Sequence, residues 1–375
     1  MQIPRKYDDL ELFLEPNKVL AIFGPRQVGK TTLVKNFLKR TTLRCRYENG
    51  DDVRIQEILS SRDSATLREF AAGFDVIAID EAQRIPDIGM TLKIMVDTIP
   101  GIRIIATGSS SFELAGQIGE PLTGRKRTLS LFPVAQLELR KSYNMFDLKS
   151  QLEERLVYGS YPEVMTRGDA NLKREAIEEL THSYLLKDIL ELEQVKSSKL
   201  LLDLLRLLAF QLGNEVSLAE LANQLDIDAK TVARYLDLFE KAFVLFNVRG
   251  YSRNLRNEIT RKSKYYFYDT GVRNALIANF NELSLRDDKG GLFENFIFME
   301  RLKKRSYENI YANVYFWRTW EQQEIDIVEE RGGKLFGYEV KFSDNTARVP
   351  SQWASTYPEA SFEVVTKDNF LDFVT

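Results

Sequence analysis

Eight consecutive residues, Gly24-Pro25-Arg26-Gln27-Val28-Gly29-Lys30-Thr31, satisfy the pattern G-x-x-x-x-G-K-[ST] at each required position. Gly24 and Gly29 let the backbone curl and approach phosphate oxygens without a Cβ in the way. Lys30 is placed to reach β- and γ-phosphates, and the Thr31 hydroxyl to ligate Mg2+. An apolar run, Val19 to Phe23, precedes the loop, and Thr31 to Leu38 reads as a helix after it. Strand, glycine loop and helix N-terminus together aim backbone N–H groups at an anion. The chemistry this predicts is nucleoside triphosphate binding.

A second run, Phe74-Asp75-Val76-Ile77-Ala78-Ile79-Asp80-Glu81, is largely apolar and ends in two carboxylates. It reads as a buried parallel strand whose end is where α/β sheets place ligands. There Asp80 holds the Mg2+ shell, and Glu81 orients and deprotonates an attacking water. The plainer alternative is that both acids cap the next helix. A third strand, Ile102 to Ala106, ends in Thr107-Gly108-Ser109-Ser110-Ser111. These polar residues could touch a γ-phosphate or the water, or could form a serine-rich turn that caps a helix.

Gly24 to Thr32, Ile79-Asp80-Glu81-Ala82-Gln83 and Ala106-Thr107-Gly108-Ser109-Ser110 resemble the AAA-type ATPases of bacteria and archaea. More narrowly, they resemble a subgroup whose C-terminal half is an uncharacterised domain. Leu122-Thr123-Gly124-Arg125 and Leu131-Phe132-Pro133 match that subgroup too. The resemblance implies ATP as the nucleotide, the loop residues Gly24 to Thr32 as its cradle, and Thr107 or Ser109 as γ-phosphate sensor. It makes Arg125 a candidate arginine finger or sensor, with Lys126 and Arg127 adjacent and either able to act instead, and an ordinary solvated charge as the alternative. It allows a homo-oligomer, since a neighbour's arginine can complete the site, and equally a monomer.

Composition bounds the rest. A chain of 375 residues has room for two or three domains. Its 44% apolar and 29% charged residues are those of a soluble globular protein. There is no eighteen-residue apolar run to span a membrane and no signal-peptide core, so the cytoplasm is the natural compartment. One cysteine, Cys45, and one histidine, His182, exclude an internal disulfide and any Cys- or His-rich metal site.

The pattern predicts an α/β chain in four parts. Residues 1–135 form a P-loop ATPase domain with a parallel sheet. Residues 136–205 form a helical lid, in which Ile177, Leu180, Tyr184, Leu185 and Ile189 recur at helical spacing. Residues 206–265 read as a winged helix-turn-helix. Ser217 with Glu220 makes a capping box, Asp226-Ile227-Asp228 the turn, and Ala229 to Leu238 the second helix. A basic run follows, with Arg249, Arg253, Arg256, Arg261, Lys262 and Lys264 against the single acid Glu258. The likeness to winged-helix modules implies that Lys230, Thr231 and Arg234 face DNA, aided by Arg253 and Arg256. The alternative is a winged helix that packs against protein.

Residues 266–375 carry a separate signal. Glu324 to Val328 and Gly337 to Phe342 alternate in the strand period around Gly332-Gly333. A two-residue turn there pairs Arg331 with Lys334 and sets Asp326 opposite Glu339, with Cβ atoms about 4.5–5.5 Å apart. Lys341 shares that face, while Ile325, Ile327, Val340 and Phe342 take the other. This D…E-x-K arrangement resembles the restriction-endonuclease-like fold. The resemblance implies that Asp326, Glu339 and Glu294 bind Mg2+ or Mn2+ and that Lys341 stabilises charge on a scissile phosphate. The alternatives are a solvated charge ladder with Glu324 paired to Lys341, or the same fold without cleavage. The function expected is therefore a DNA-associated ATPase with a nuclease-like C-terminal domain. The other reading is a nucleotide-dependent switch for a protein partner, with a non-cutting scaffold.

Overall fold

The computed structural model describes residues 3–108, 121–185, 189, 198–251, 263–343 and 347–375. The chain divides into two compact units. One is Arg5–Phe132 with Lys241–Phe243; the other is Pro133–Glu240 with Val244–Thr375 and the first four residues.

The first unit is built on five parallel strands in the order β2-β3-β4-β1-β5: β1 (Lys18–Phe23), β2 (Cys45–Asn49), β3 (Val76–Asp80), β4 (Arg103–Gly108) and β5 (Lys126–Ser130). Their sequences explain the parallel arrangement. β1, β3 and β4 are almost wholly apolar and almost wholly buried, as strands covered on both faces must be. Three helices, α2 (Val53–Ser60), α3 (Ser64–Ala71) and α4 (Ile88–Thr98), cover one face through Ile55, Leu59, Leu67, Phe70, Leu92 and Met95. Asp52 and Asp63 start α2 and α3 by accepting the N–H groups of Arg54 and Thr66. The helix after β1, α1 (Lys30–Leu38), begins at Gly29. The three apolar strands expected from sequence are present at the expected places.

The second unit holds a mixed seven-stranded sheet in the order β12-β11-β10-β9-β7-β8-β6. Its strands are β6 (Glu215–Val216), β7 (Leu245–Gly250), β8 (Ser263–Phe267), β9 (Asn313–Arg318), β10 (Glu324–Arg331), β11 (Lys334–Lys341) and β12 (Ser361–Thr366). The β10–β11 hairpin has the expected register, Arg331 opposite Lys334 and Ile327 opposite Tyr338. Gly332 and Gly333 supply the two positive φ angles, 56° and 75°, that a tight two-residue hairpin turn requires. The helices Leu218–Leu225 and Ala229–Lys241 flank the turn at Asp226, and Ser217 caps the first of them. β7 and β8 follow as an antiparallel pair, with β6 on the outer side of β8. β7 then pairs parallel with β9, through Arg249 opposite Tyr315 and Gly250 opposite Phe316. The sheet thus runs unbroken across residue 265, where the sequence suggests a boundary.

A long helix, Lys289–Glu308, lies on this sheet. Phe298 stacks on Tyr266 of β8 at 4.3 Å, and Phe293 meets Phe342 edge-on. Arg301 of the helix fixes it to β10 through two 2.8 Å bonds to the carboxylate of Glu329, whose side chain is fully buried. Burial pushes the Glu329 carboxyl up, but the Arg301 hydrogen bonds and charge outweigh it and hold it below the ordinary glutamate value. Because the folded-state value is depressed, this stabilisation is present above the unfolded value and lost as pH falls through the folded one. Glu329→Gln leaves Arg301 buried without its counter-charge, at a cost of about 3 kcal/mol. Urea unfolding at pH 7 should show that loss, and the gap to the parent protein should close as pH drops below the glutamate range.

Candidate functional site

The loop joining β1 to α1 is shaped by close approaches that only glycine permits. Gly24 has φ 152°, and a Cβ there would stand 2.0 Å from the carbonyl oxygen of Leu131, whose N–H is bonded to Phe23. Gly29 adopts φ 97° as the residue before the helix, and Gln27 is held in the left-handed region at φ 59°. Lys30 opens α1, is buried, and its ammonium donates to the carbonyls of Gly24 (2.6 Å) and Pro25 (2.8 Å). The ammonium therefore lies against the inside of the loop, at the positive end of α1.

Asp80 ends β3, two strands away from the loop strand, and β4 fills the gap. Its buried carboxylate gathers three hydroxyl donors. Thr31 Oγ1 donates to Oδ2 at 2.7 Å, Tyr47 Oη donates to Oδ2 at 2.9 Å, and Thr107 donates to Oδ1. Burial, then the Asp80 contact, pushes the Tyr47 phenol above its ordinary value, which keeps it a donor. Glu81 is left-handed at φ 50°, a strained conformation for a non-glycine residue and one that concentrates at working sites. Its N–H donates to Thr107 Oγ1 at 3.2 Å, and its carboxylate accepts from Gln83 Nε2 at 2.5 Å. Gly50 makes room for this turn, because a Cβ there would lie 2.4 Å from the Glu81 carbonyl oxygen. Thr31, Asp80, Glu81 and Thr107 thus lie together in one hydrogen-bonded group. Pro25, Arg26, Val28 and Thr32 sit on the loop and the first turn, and Ser109 lies outside the described residues.

Four contributors were not anticipated. Arg5, buried, donates to the carbonyls of Val28 (2.5 Å) and Phe132 (2.6 Å), so it ties the loop to the segment after β5. Tyr47, Gly50 and Gln83 act on Asp80 and Glu81 as described. Gln83 stands beside the acids in Ile79-Asp80-Glu81-Ala82-Gln83, a signal that was in view; Arg5 and Tyr47 depend on long-range contacts. Arg125 stands away from the loop of its own chain, a position that leaves open a role at a neighbouring copy's site. It precedes β5, and its carbonyl accepts from Val19 N–H at the start of β1, so one strand length, roughly 16–20 Å, separates it from the loop. Its guanidinium pairs with Asp97 at 2.6 Å.

In the second unit the expected metal ligands meet a different partner. Lys264, a member of the basic run, is 1% exposed, not on a basic surface. Its ammonium lies 2.5 Å from Glu324, 3.3 Å from Glu294 and 3.9 Å from Asp326. Glu294 also accepts from Tyr266 at 2.6 Å. Glu324 is therefore a partner of Lys264 instead of Lys341, and Lys341 binds Glu339 at 2.6 Å. The β10–β9 pairing shifts between Ile325 and Val328, and the β10–β11 ladder stops at Ile327. Asp326 turns its carboxylate onto the N–H of Val340 at 2.8 Å in place of a plain cross-strand pairing with Glu339. Among the described residues no group of three acidic, Cys or His side chains is arranged to hold a metal ion. A divalent cation does not fit where the Lys264 ammonium stands.

On the helix Ala229–Lys241, Lys230 and Arg234 are exposed, as are Asp226 before it and Asp237 within it. Thr231 is half-buried, and its hydroxyl donates to Asp228 at 2.7 Å. Arg249 is exposed on β7; Arg253 and Arg256 lie outside the described residues. Among the described residues no helix is long and apolar enough to cross a membrane.

The geometry of the first unit agrees with a sequence comparison that matches residues 16–140 to the family described as AAA domain. Over residues 16–140 this match supports an AAA domain of the P-loop NTPase class. Residues 149–283 and 289–370 match two further families, each described as a domain of unknown function (DUF8612 and DUF4143). Similar chains are named only as uncharacterized proteins. One from Mycobacterium tuberculosis is 29% identical over 327 residues, 86% of this chain and 70% of its own length. One from Methanocaldococcus jannaschii is 26% identical over 342 residues, 85% and 74% of the two chains. A third, from Haemophilus influenzae, is 24% identical over 353 residues, 88% and 84%. The AAA domain makes nucleotide binding and hydrolysis the activity suggested for this chain.

The Gly24 contact gives a direct test of the AAA domain's loop. Gly24→Ala should abolish binding of a fluorescent ATP analogue and lower the melting temperature, because the methyl group must displace the Leu131 carbonyl. An unchanged affinity would mean that the loop does not hold the phosphates.

Proposed function

We propose that the AAA domain hydrolyses ATP and that the second unit couples the reaction to DNA without cutting it. The observation that carries the first part is the 2.7 Å bond between Thr31 and Asp80 beside the Lys30 loop. An all-oxygen pair of one hydroxyl and one carboxylate suits Mg2+, which prefers few protein ligands and takes the rest from phosphate and water. Thr31 and Asp80 would hold the ion, which supplies neutralisation of charge on the β- and γ-phosphate oxygens.

The protein's own residues account for the remaining work. Loop N–H groups and the start of α1 bind the phosphates, and Lys30 brings the positive charge nearest the γ-phosphate. Glu81 accepts a proton from water as the water oxygen bonds to the γ-phosphorus and the bond to the bridging oxygen breaks, giving ADP and phosphate. Gln83 fixes the Glu81 carboxylate, and Thr107 links Glu81 to Asp80. Lys30→Ala is expected to lose nucleotide binding. Glu81→Gln is expected to bind ATP but turn it over at least about 100-fold more slowly, the usual weight of a positioned base. Single-turnover assays separate the two variants, and normal turnover by Glu81→Gln would hand the water to another residue.

For DNA, the support is the exposed pair Lys230 and Arg234 on one helix face with Arg249 nearby in sequence. The two acids on or beside that face, Asp226 and Asp237, favour the second reading, a nucleotide-dependent switch for a protein partner. The two differ in salt response. If DNA binds there, removing Lys230 and Arg234 together should weaken binding to all duplexes alike and reduce the salt slope by about two. Fluorescence anisotropy over a salt series measures both. An unchanged salt slope, together with ATP turnover that DNA does not alter, would favour the protein-partner reading.

A further inference from the structure

The carboxylates at the meeting of β8, β10, β11 and the helix Lys289–Glu308 need a positive charge. Glu294, Glu324, Asp326 and Glu339 crowd together there. Glu339 Oε2 is buried without a hydrogen-bond partner. Two buried like charges at such spacing repel strongly unless a cation lies between them. The arrangement supplies that cation from the chain itself. We infer that the Lys264 ammonium is the resident cation of this cluster, standing where a divalent metal ion would stand in a hydrolytic site and keeping such an ion out.

Three observations carry this. The ammonium lies within 4 Å of three carboxylates on two different elements. The residue is 1% exposed, and the ammonium also lies 5.5 Å from the centroid of the Phe316 ring, so it sits away from solvent. It is anchored on β8, where Glu215 of β6 is its backbone partner, so its position is set by the ladder and not by a flexible loop. An ammonium is a fixed point charge with three donors and no open coordination position. It can neutralise the acids, but it cannot polarise a bound water as a metal does. On this basis the C-terminal sheet holds its shape without metal and does not hydrolyse phosphodiesters by metal-bound water.

The inference stands apart from the nucleotide site, and its test uses full-length protein without nucleotide. Free Mn2+ is measured by electron paramagnetic resonance during titration of the parent protein, Asp326→Asn, Lys264→Met, and the double variant. The parent and Asp326→Asn curves should coincide. Lys264→Met should gain a Mn2+ site and be raised in melting temperature by Mn2+, and the added Asp326→Asn change should remove both gains. A Mn2+ site in the parent that Asp326→Asn abolishes would overturn the inference, and this comparison holds even if Lys264→Met fails to fold. A folded Lys264→Met protein with no additional Mn2+ site would overturn it as well.

Discussion

The first unit depends on one carboxylate. Asp80 sits at the carboxyl end of a parallel sheet, where three strands deliver a hydroxyl or its backbone support to a single point: Thr31 after β1, Tyr47 on β2 and Thr107 on β4. A buried carboxylate without such donors would be costly. With them it is satisfied, and it also fixes the relative position of the phosphate loop and the Glu81 turn. The strand order matters because β4 lies between β1 and β3, so Thr107 at its end can reach both the Asp80 carboxylate and the Glu81 N–H at the end of β3. The strain at Glu81 is held by the same contacts, together with the Gly50 approach that no larger residue allows.

The second unit solves a related problem in another way. It also buries acids, but it meets them with chain cations. Arg301 binds Glu329 with two parallel bonds, and Lys264 faces Glu294, Glu324 and Asp326. Breaking such pairs is costly because the remaining charge is stranded, whereas their net stabilisation when intact is modest. What they provide is placement: the long helix Lys289–Glu308 has one register on the sheet.

Much of the first unit was legible in the sequence because its signals are local. A glycine-lysine loop after an apolar strand, and a second apolar strand ending in acids, each carry their meaning within ten residues. The β10–β11 register was legible for the same reason, since Gly332-Gly333 fixes it. Lys264 was misread because charge counting treats a basic run as surface. Its burial arises from β10 and a helix that follow it by tens of residues, and no local pattern records that. The shift beside Asp326 was hidden too, because β10 keeps its alternation while its pairing with β9 slips.

The seven-stranded sheet also bears on how such a chain can be divided. The two matched families of unknown function meet between Leu283 and Lys289, yet β6, β7 and β8 lie before that point and β9 to β12 after it. Separation there would expose the facing edges of β7 and β9 as rows of unpaired N–H and C=O groups, the kind of edge that recruits another chain. Inheritance, shuffling or recombination that respects folding must therefore move the whole span from β6 to β12 together, even though sequence families part it in two.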